Sequence, residues 1–139
     1  MYLIDTNVIS ELRKRNSANQ GVQLFFNTAQ KKSLKLYLSV ISIGELRRGV
    51  EKIRHRNDSI QAKQLELWLN HLVDDYRDHI LDFGSTEAQI WGKLRVPRHE
   101  NAIDKQIAAT ALVYGLTVVT RNTRNFVDTG VNLLNPFLD

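Results

Sequence analysis

The rhythm of apolar and polar positions along this chain switches repeatedly between short extended runs and helical stripes. The apolar run Tyr2-Leu3-Ile4 stops abruptly at Asp5-Thr6-Asn7, and Val8, Ile9 and Leu12 then recur at helical spacing. This predicts a strand with Asp5 at its carboxyl end and a short helix over 8–14. After the polar break Asn16–Asn19, Val22, Phe25, Phe26 and Ala29 mark a second helix over 20–31. Leu34, Leu36 and Leu38 alternate with Lys35, Tyr37 and Ser39, the period of a strand over 34–40. Ser42 and Glu45 have the spacing of a capping box, which predicts a helix from there to His55. Asn57-Asp58-Ser59 reads as a turn and N-cap before a long helix over 59–76, striped by Ile60, Leu65, Trp68, Leu69, Leu72 and Val73. A short strand at 79–83 precedes a helix over 86–95, capped by Ser85 or Thr86 and ended by Pro97. Residues 102–112 read as a buried helix stopped by Gly115, followed by a strand at 116–119 and an edge strand at 131–134. Strands alternating with helices predict one α/β domain over 1–139 around a parallel sheet of four to five strands.

Composition narrows the class. With 139 residues the chain is long enough for a core without staples. It has no cysteine, so disulfide frameworks and thiolate metal sites are excluded, and any metal must take oxygen or histidine ligands. No apolar run reaches the roughly 20 residues of a membrane span. Asp5 and Glu11 interrupt the opening stretch, so no leader peptide is read and a cytoplasmic location is expected. The net charge of +4 is unevenly spread: residues 1–63 carry twelve Lys/Arg against five Asp/Glu, whereas 64–139 carry seven against ten. A basic first half suits a phosphate backbone, although any one cluster is equally a solvated helix face.

In a parallel α/β sheet, ligands bind outside the carboxyl ends of the strands. Asp5 is expected there, either as a site carboxylate or simply as the cap of the next helix. Glu45 opens the helix after the second strand, and Asp104 lies in the first turn of the helix before the fourth, whose end carries Thr120, Arg121 and Asn122. Topology alone does not bring Asp104 to that edge.

The motifs Asp5-Thr6-Asn7-Val8-Ile9-Ser10-Glu11, Ile43-Gly44-Glu45-Leu46-Arg47-Arg48-Gly49, Asp104 with Ile107-Ala108-Ala109-Thr110-Ala111, Thr120-Arg121-Asn122 with Phe126, and Asn135-Pro136 follow one another across the whole chain. In order and spacing they resemble the motif series of PIN-domain ribonucleases, above all the VapC toxins of type II toxin–antitoxin systems and their FitB-like members. The resemblance implies an α/β/α sandwich, an acidic cluster that binds Mg²⁺ or Mn²⁺, and cleavage of RNA in single-stranded segments such as transfer or ribosomal RNA loops. It also implies a homodimer, a cognate VapB-like antitoxin, and operator DNA reached through that antitoxin. Asp5, Glu45 and Asp104 match the family's acidic positions. Asn122 stands where the family often has a fourth acid; it keeps a carbonyl for coordination but brings no charge.

The chemistry agrees with that set. Crowded carboxylates raise one another's pKa unless a cation neutralises them. Mg²⁺ takes oxygen ligands, often one or two carboxylates plus water and substrate phosphate. Asp5 and Asp104 are the expected ligands, Glu45 either holds a metal-bound water or acts as proton acceptor, and Asn122 is the fourth catalytic position. Asn7, Thr120 and Arg121 are expected to position carboxylate, water or phosphate. His55, His71, His79 and His99 lack metal-ligand spacing, and surface or packing roles are expected for them. Asp82 and Glu87 are read as turn and helix-start acids, Trp68 and Trp91 as core or dimer contacts, and Asp128 has no assigned role. Two other classes stay open at this point. One is a catalytically inactive PIN domain serving as a binding subunit on operator DNA, for which Asn122 speaks. The other is a receiver-type phosphoacceptor domain, against which the Thr120-Arg121 strand end speaks because such a domain requires a lysine there.

Overall fold

The computed structural model describes residues 1–139 throughout. Five short strands, β1 (Tyr2–Ile4), β2 (Leu36–Ser39), β3 (Ile80–Leu81), β4 (Thr117–Val119) and β5 (Leu133–Leu134), form one sheet in the order β3-β2-β1-β4-β5. Every pairing is parallel. Six helices surround it: α1 (Thr6–Glu11), α2 (Gln20–Lys31), α3 (Val40–His55), α4 (Ser59–Asp75), α5 (Ser85–Leu94) and α6 (Ala102–Tyr114).

Adjacent strand residues point to opposite faces, and the two cores show this directly. Ile4 and Val119 pack into a larger core with Val8, Ile9, Val22, Leu46, Val50, Leu69 and Leu72, from α1 to α4. Their neighbours Leu3 and Val118 pack into a smaller one with Ile107, Ala108 and Ala111 of α6 and with Phe126. The sheet is therefore the middle of three layers, as the PIN-like sandwich implies. The small side chains of α6 let that helix lie close to the strands.

Element ends carry local reasons. Asp58 caps α4 by accepting the Gln61 N–H at 3.1 Å. Gly115, at φ 67°, ends α6 in the left-handed conformation that favours glycine. Two expected starts are corrected. The helix expected from Ser42 begins at Val40, because Ser39 is its N-cap and accepts the Ile41 N–H at 3.0 Å. The expected cap at Ser85 or Thr86 falls instead on Gly84, with Ser85 the first helical residue. The helix expected over 8–14 is also split: α1 ends at Glu11 and a 3-10 turn covers Leu12–Ser17, with Arg15 at φ 52°. No helix is long and apolar enough to cross a membrane.

Candidate active site

The register of the sheet builds the site. Ile4 pairs with Val119, so the next residues, Asp5 and Thr120, leave their strands side by side. Leu3 pairs with Tyr37, which brings Ser39, the cap of α3, to the same level on the other flank of β1. The edge of the sheet is thus lined by strand ends that turn directly into helices or loops.

Asp5 caps α1 with one carboxylate oxygen and bonds Thr120 and Asn7 with the other. It is only 4 % exposed. Its Oδ1 accepts the Thr6 N–H at 2.8 Å, which opens α1. Its Oδ2 accepts the Thr120 hydroxyl at 2.8 Å and the Asn7 amide at 3.3 Å. Thr120, fully buried, accepts in turn the Asn122 N–H at 3.0 Å and a longer contact from Asn7 Nδ2 at 3.4 Å. Asn7 closes the ring, its Oδ1 accepting the Arg121 N–H at 3.1 Å. Asn7, Thr120 and the 120–122 backbone therefore fix the carboxylate in one orientation.

Asp104 joins this group from α6. That helix ends two residues before β4 starts, and its thirteen residues span about 20 Å, so its first turn reaches the far edge of the sheet. Its Oδ2 accepts the Asn125 amide at 2.9 Å. Burial pushes the Asp5 carboxyl above the usual range, the Thr120, Thr6 and Asn7 hydrogen bonds oppose this, and the Asp104 charge adds to it. Burial likewise raises Asp104, Asn125 opposes it, and the Glu45 charge adds to it. Asp5 thus feels Asp104, and Asp104 feels Glu45: the three acids form one electrostatic group.

Glu45 sits in the second turn of α3, half-buried, with no hydrogen-bond partner. The corrected helix start removes the capping-box explanation for it, since the box would need Ser42 as the cap. Ser42 is instead buried inside the helix with its hydroxyl unpartnered. Asn122 reaches the site through its backbone, while its side chain is exposed and caps nothing. Arg121 is exposed, with its guanidinium 4.7 Å from the Phe137 ring centre.

Other candidates fall elsewhere. Asp128 pairs with Arg98 at 3.3 Å on the surface. Asp82 is exposed after β3, and Glu87 is in the first turn of α5. His79 packs, stacking on Tyr37 and contacting the Leu36 carbonyl at 3.0 Å. Trp68 packs against the larger core, and Trp91 donates to the Ala102 carbonyl at 2.9 Å. Asn125 was not singled out in the sequence. Its signal is faint, an amide inside the 3-10 turn Thr123–Phe126.

No group of three or more His, Cys, Asp or Glu side chains is close enough to hold a metal by itself. The donor set at the edge is the carboxylate oxygens of Asp5 and Asp104, each held by a side-chain amide N–H (Asn7, Asn125) and that of Asp5 also by the Thr120 hydroxyl. That is an all-oxygen set of the kind Mg²⁺ takes when water and substrate supply the remaining ligands.

The sequence profile of the PIN domain matches residues 2–132. The chain belongs to the PIN-domain family. Among similar PIN proteins are the plasmid stability protein StbB of Pseudomonas syringae pv. tomato, 34 % identical over 99 % of both chains, and the toxin FitB of Neisseria gonorrhoeae, 33 % identical over 100 % of both. The VapC ribonuclease Y4jK of Sinorhizobium fredii is 29 % identical over 99 % of this chain and 98 % of its own. The crystal structure of FitAcB from Neisseria gonorrhoeae superposes with a TM-score of 0.80 at 34 % identity, covering 98 % of each chain. The chain thus falls among PIN domains of toxin–antitoxin systems.

Proposed function

We propose that this PIN domain is a metal-dependent endoribonuclease toxin, held in check by a cognate VapB-like antitoxin. One observation carries the reading. Asp5 is buried at the end of β1 with its carboxylate fixed by Thr120, Thr6 and Asn7, and acids from two distant motifs act in sequence on it: the Asp104 charge on Asp5, the Glu45 charge on Asp104. Relatives named as a toxin and as a ribonuclease support the same reading.

Asp5 and Asp104 are the residues that would hold Mg²⁺ or Mn²⁺. Such an ion supplies Lewis acidity to the scissile phosphate and an activated water. Thr120 and Asn7 keep the Asp5 carboxylate oriented. Glu45, half-buried and without a partner, takes the proton of the attacking water. Asn122 and Arg121 flank the strand end, where they face substrate. No step calls for a histidine or a ribose 2′-hydroxyl, so the products are a 5′-phosphate and a 3′-hydroxyl. The substrate class is single-stranded or loop RNA, such as a transfer or ribosomal RNA loop. The working state is a homodimer, and operator DNA is reached through the antitoxin.

One feature favours a second reading, a catalytically silent subunit of an antitoxin–operator complex: Asn122 supplies no charge at a position often acidic in the family. Purified protein free of antitoxin, incubated with total bacterial RNA, separates the two. Discrete cuts with 5′-phosphate ends, lost with chelator and in Asp5→Asn, are expected with Mg²⁺ or Mn²⁺. Absence of cutting by folded, metal-supplied protein, or cutting that survives Asp5→Asn, would overturn the nuclease reading.

A further inference from the structure

The segment after β5 lies against the site. Val119 pairs with Leu134, so Asn135 emerges level with Thr120. Asn135 Oδ1 then accepts the Phe137 N–H at 3.0 Å, a local turn. The Pro136 carbonyl presses on Gly21, where an added Cβ would sit 2.1 Å from that oxygen, so this approach requires glycine. Asn19 clamps the next residue from both sides. Its Nδ2 donates to the Leu138 carbonyl at 2.6 Å, and its Oδ1 accepts the Leu138 N–H at 3.0 Å. The same Oδ1 caps α2 by accepting the Gly21 N–H at 2.9 Å. The segment is thus fixed to the start of α2, with Phe137 half-buried against the larger core.

The Phe137 ring lies 4.7 Å from the Arg121 guanidinium carbon. Arg121 is tied to the site through its backbone bond to Asn7, yet its side chain makes no hydrogen bond and no ion pair. Glu11, the acid whose charge it feels, is already engaged by the Asn19 N–H at 2.8 Å and by Lys14 at 3.0 Å. The guanidinium carbon lies over the ring, and no acceptor of the protein takes its N–H donors, which leaves them available to a phosphate.

We infer that Phe137 is a positioning residue: it holds the Arg121 guanidinium against the segment that follows β5, next to the strand end that carries Thr120, so that its unpaired N–H donors receive a phosphate of the RNA strand. The substrate class rests on the nuclease reading above. The test is the affinity of the full chain, in an Asp5→Asn background, for a fluorescein-labelled single-stranded RNA of mixed sequence, read by anisotropy across a salt series. Arg121→Ala weakens binding and lowers the slope of log K against log salt by about 0.7, one phosphate contact on a single strand. Phe137→Ala gives the same change in slope and a loss of roughly two- to fivefold, the strength of an exposed cation–π contact. Phe137→Tyr restores both, and Phe137→Leu, which keeps apolar packing without a ring, does not. Adding Phe137→Ala to Arg121→Ala changes nothing further. Additive losses, an unchanged salt slope in the Phe137 variants, or RNA binding too weak to show a salt dependence overturns the assignment. Cleavage by protein with Asp5 intact is scored separately. Coupled binding without cleavage keeps the Phe137–Arg121 assignment and removes the nuclease reading; cleavage without coupling does the reverse.

Discussion

Asp5 and Asp78 both adjoin a parallel strand, at opposite edges of the sheet. Asp5 follows β1 and is buried, held by a hydroxyl, a side-chain amide and a backbone N–H. Asp78 precedes β3 and is exposed, beside a cavity of about 450 Å³ that Asp74, Asp75, Leu34, Leu36 and Tyr76 also line. Asp74 and Asp75 lie in the last turn of α4, at the negative end of its dipole. The amino edge thus has three acids around an open cavity, yet no hydrogen bond orients them. At the carboxyl edge α1, α3 and α6 begin, and their starts carry the caps Asp5 and Ser39, Asp104 in the first turn of α6 and Glu45 in the second turn of α3. A cavity lined by acids does not by itself fix a carboxylate; burial and hydrogen bonds fix the one at Asp5.

The largest effect that sharpens this contrast is expected from Asp5→Asn. Losing a ligand position should cost RNA cleavage more than the roughly 100-fold upper range for losing an outer-shell partner. Thr120→Val, which removes the hydroxyl that holds Asp5, should cost about 10- to 100-fold in the same assay. It should also lower stability by about 1–3 kcal/mol in urea unfolding, with Thr120→Ser recovering most of both.

Stability against pH is a gentler probe of the same edge. The folded Asp5 and Asp104 carboxyls titrate above 3.8, so between that value and their raised ones the folded state binds more protons than the unfolded state. Their contribution to stability is therefore greatest below pH 3.8, falls as pH rises through the window, and is lost once both are ionised. Glu11, Glu51, Glu66 and Glu100 are lowered and slope the other way, so the useful quantity is the difference between native protein and Asp5→Asn. In chelator, Asp5→Asn should be the more stable protein at neutral pH. Mg²⁺ at a hundred times its Kd should add about 2.7 kcal/mol to the native protein and little to the variant. Asp78→Asn should do least, staying within about 0.5 kcal/mol in stability and leaving cleavage unchanged. A large loss there would break the contrast between the edges.

Much of this was legible from residue pattern. Each predicted strand and helix is present, because apolar alternation and helical stripes are strong local signals. The start of α3 was misread because Ser42 and Glu45 imitate a capping box, while the true cap, Ser39, is also the last residue of a strand. Asp5 offered a choice between cap and site; the structure shows the cap through Oδ1 and leaves Oδ2 to Thr120 and Asn7, so the two readings do not compete for the same oxygen. Asp104 could not be placed by topology, since nothing local states how far a helix start lies from the strand it feeds. Asn125 was missed for a related reason: its partner is 21 residues away, across an irregular turn.

The bond between Thr120 and Asp5 spans 115 positions of sequence. In a growing chain Asp5 is made 115 residues before the group that orients it, which does not exist until residue 120 has been made and β4 has paired with β1. At roughly 5–20 residues per second of synthesis, that interval lasts many seconds. The fold therefore works as a timer. A prematurely ended chain that stops before β4 has the acid without its holder, and the Asp5 carboxylate is fixed only when the middle of the sheet closes.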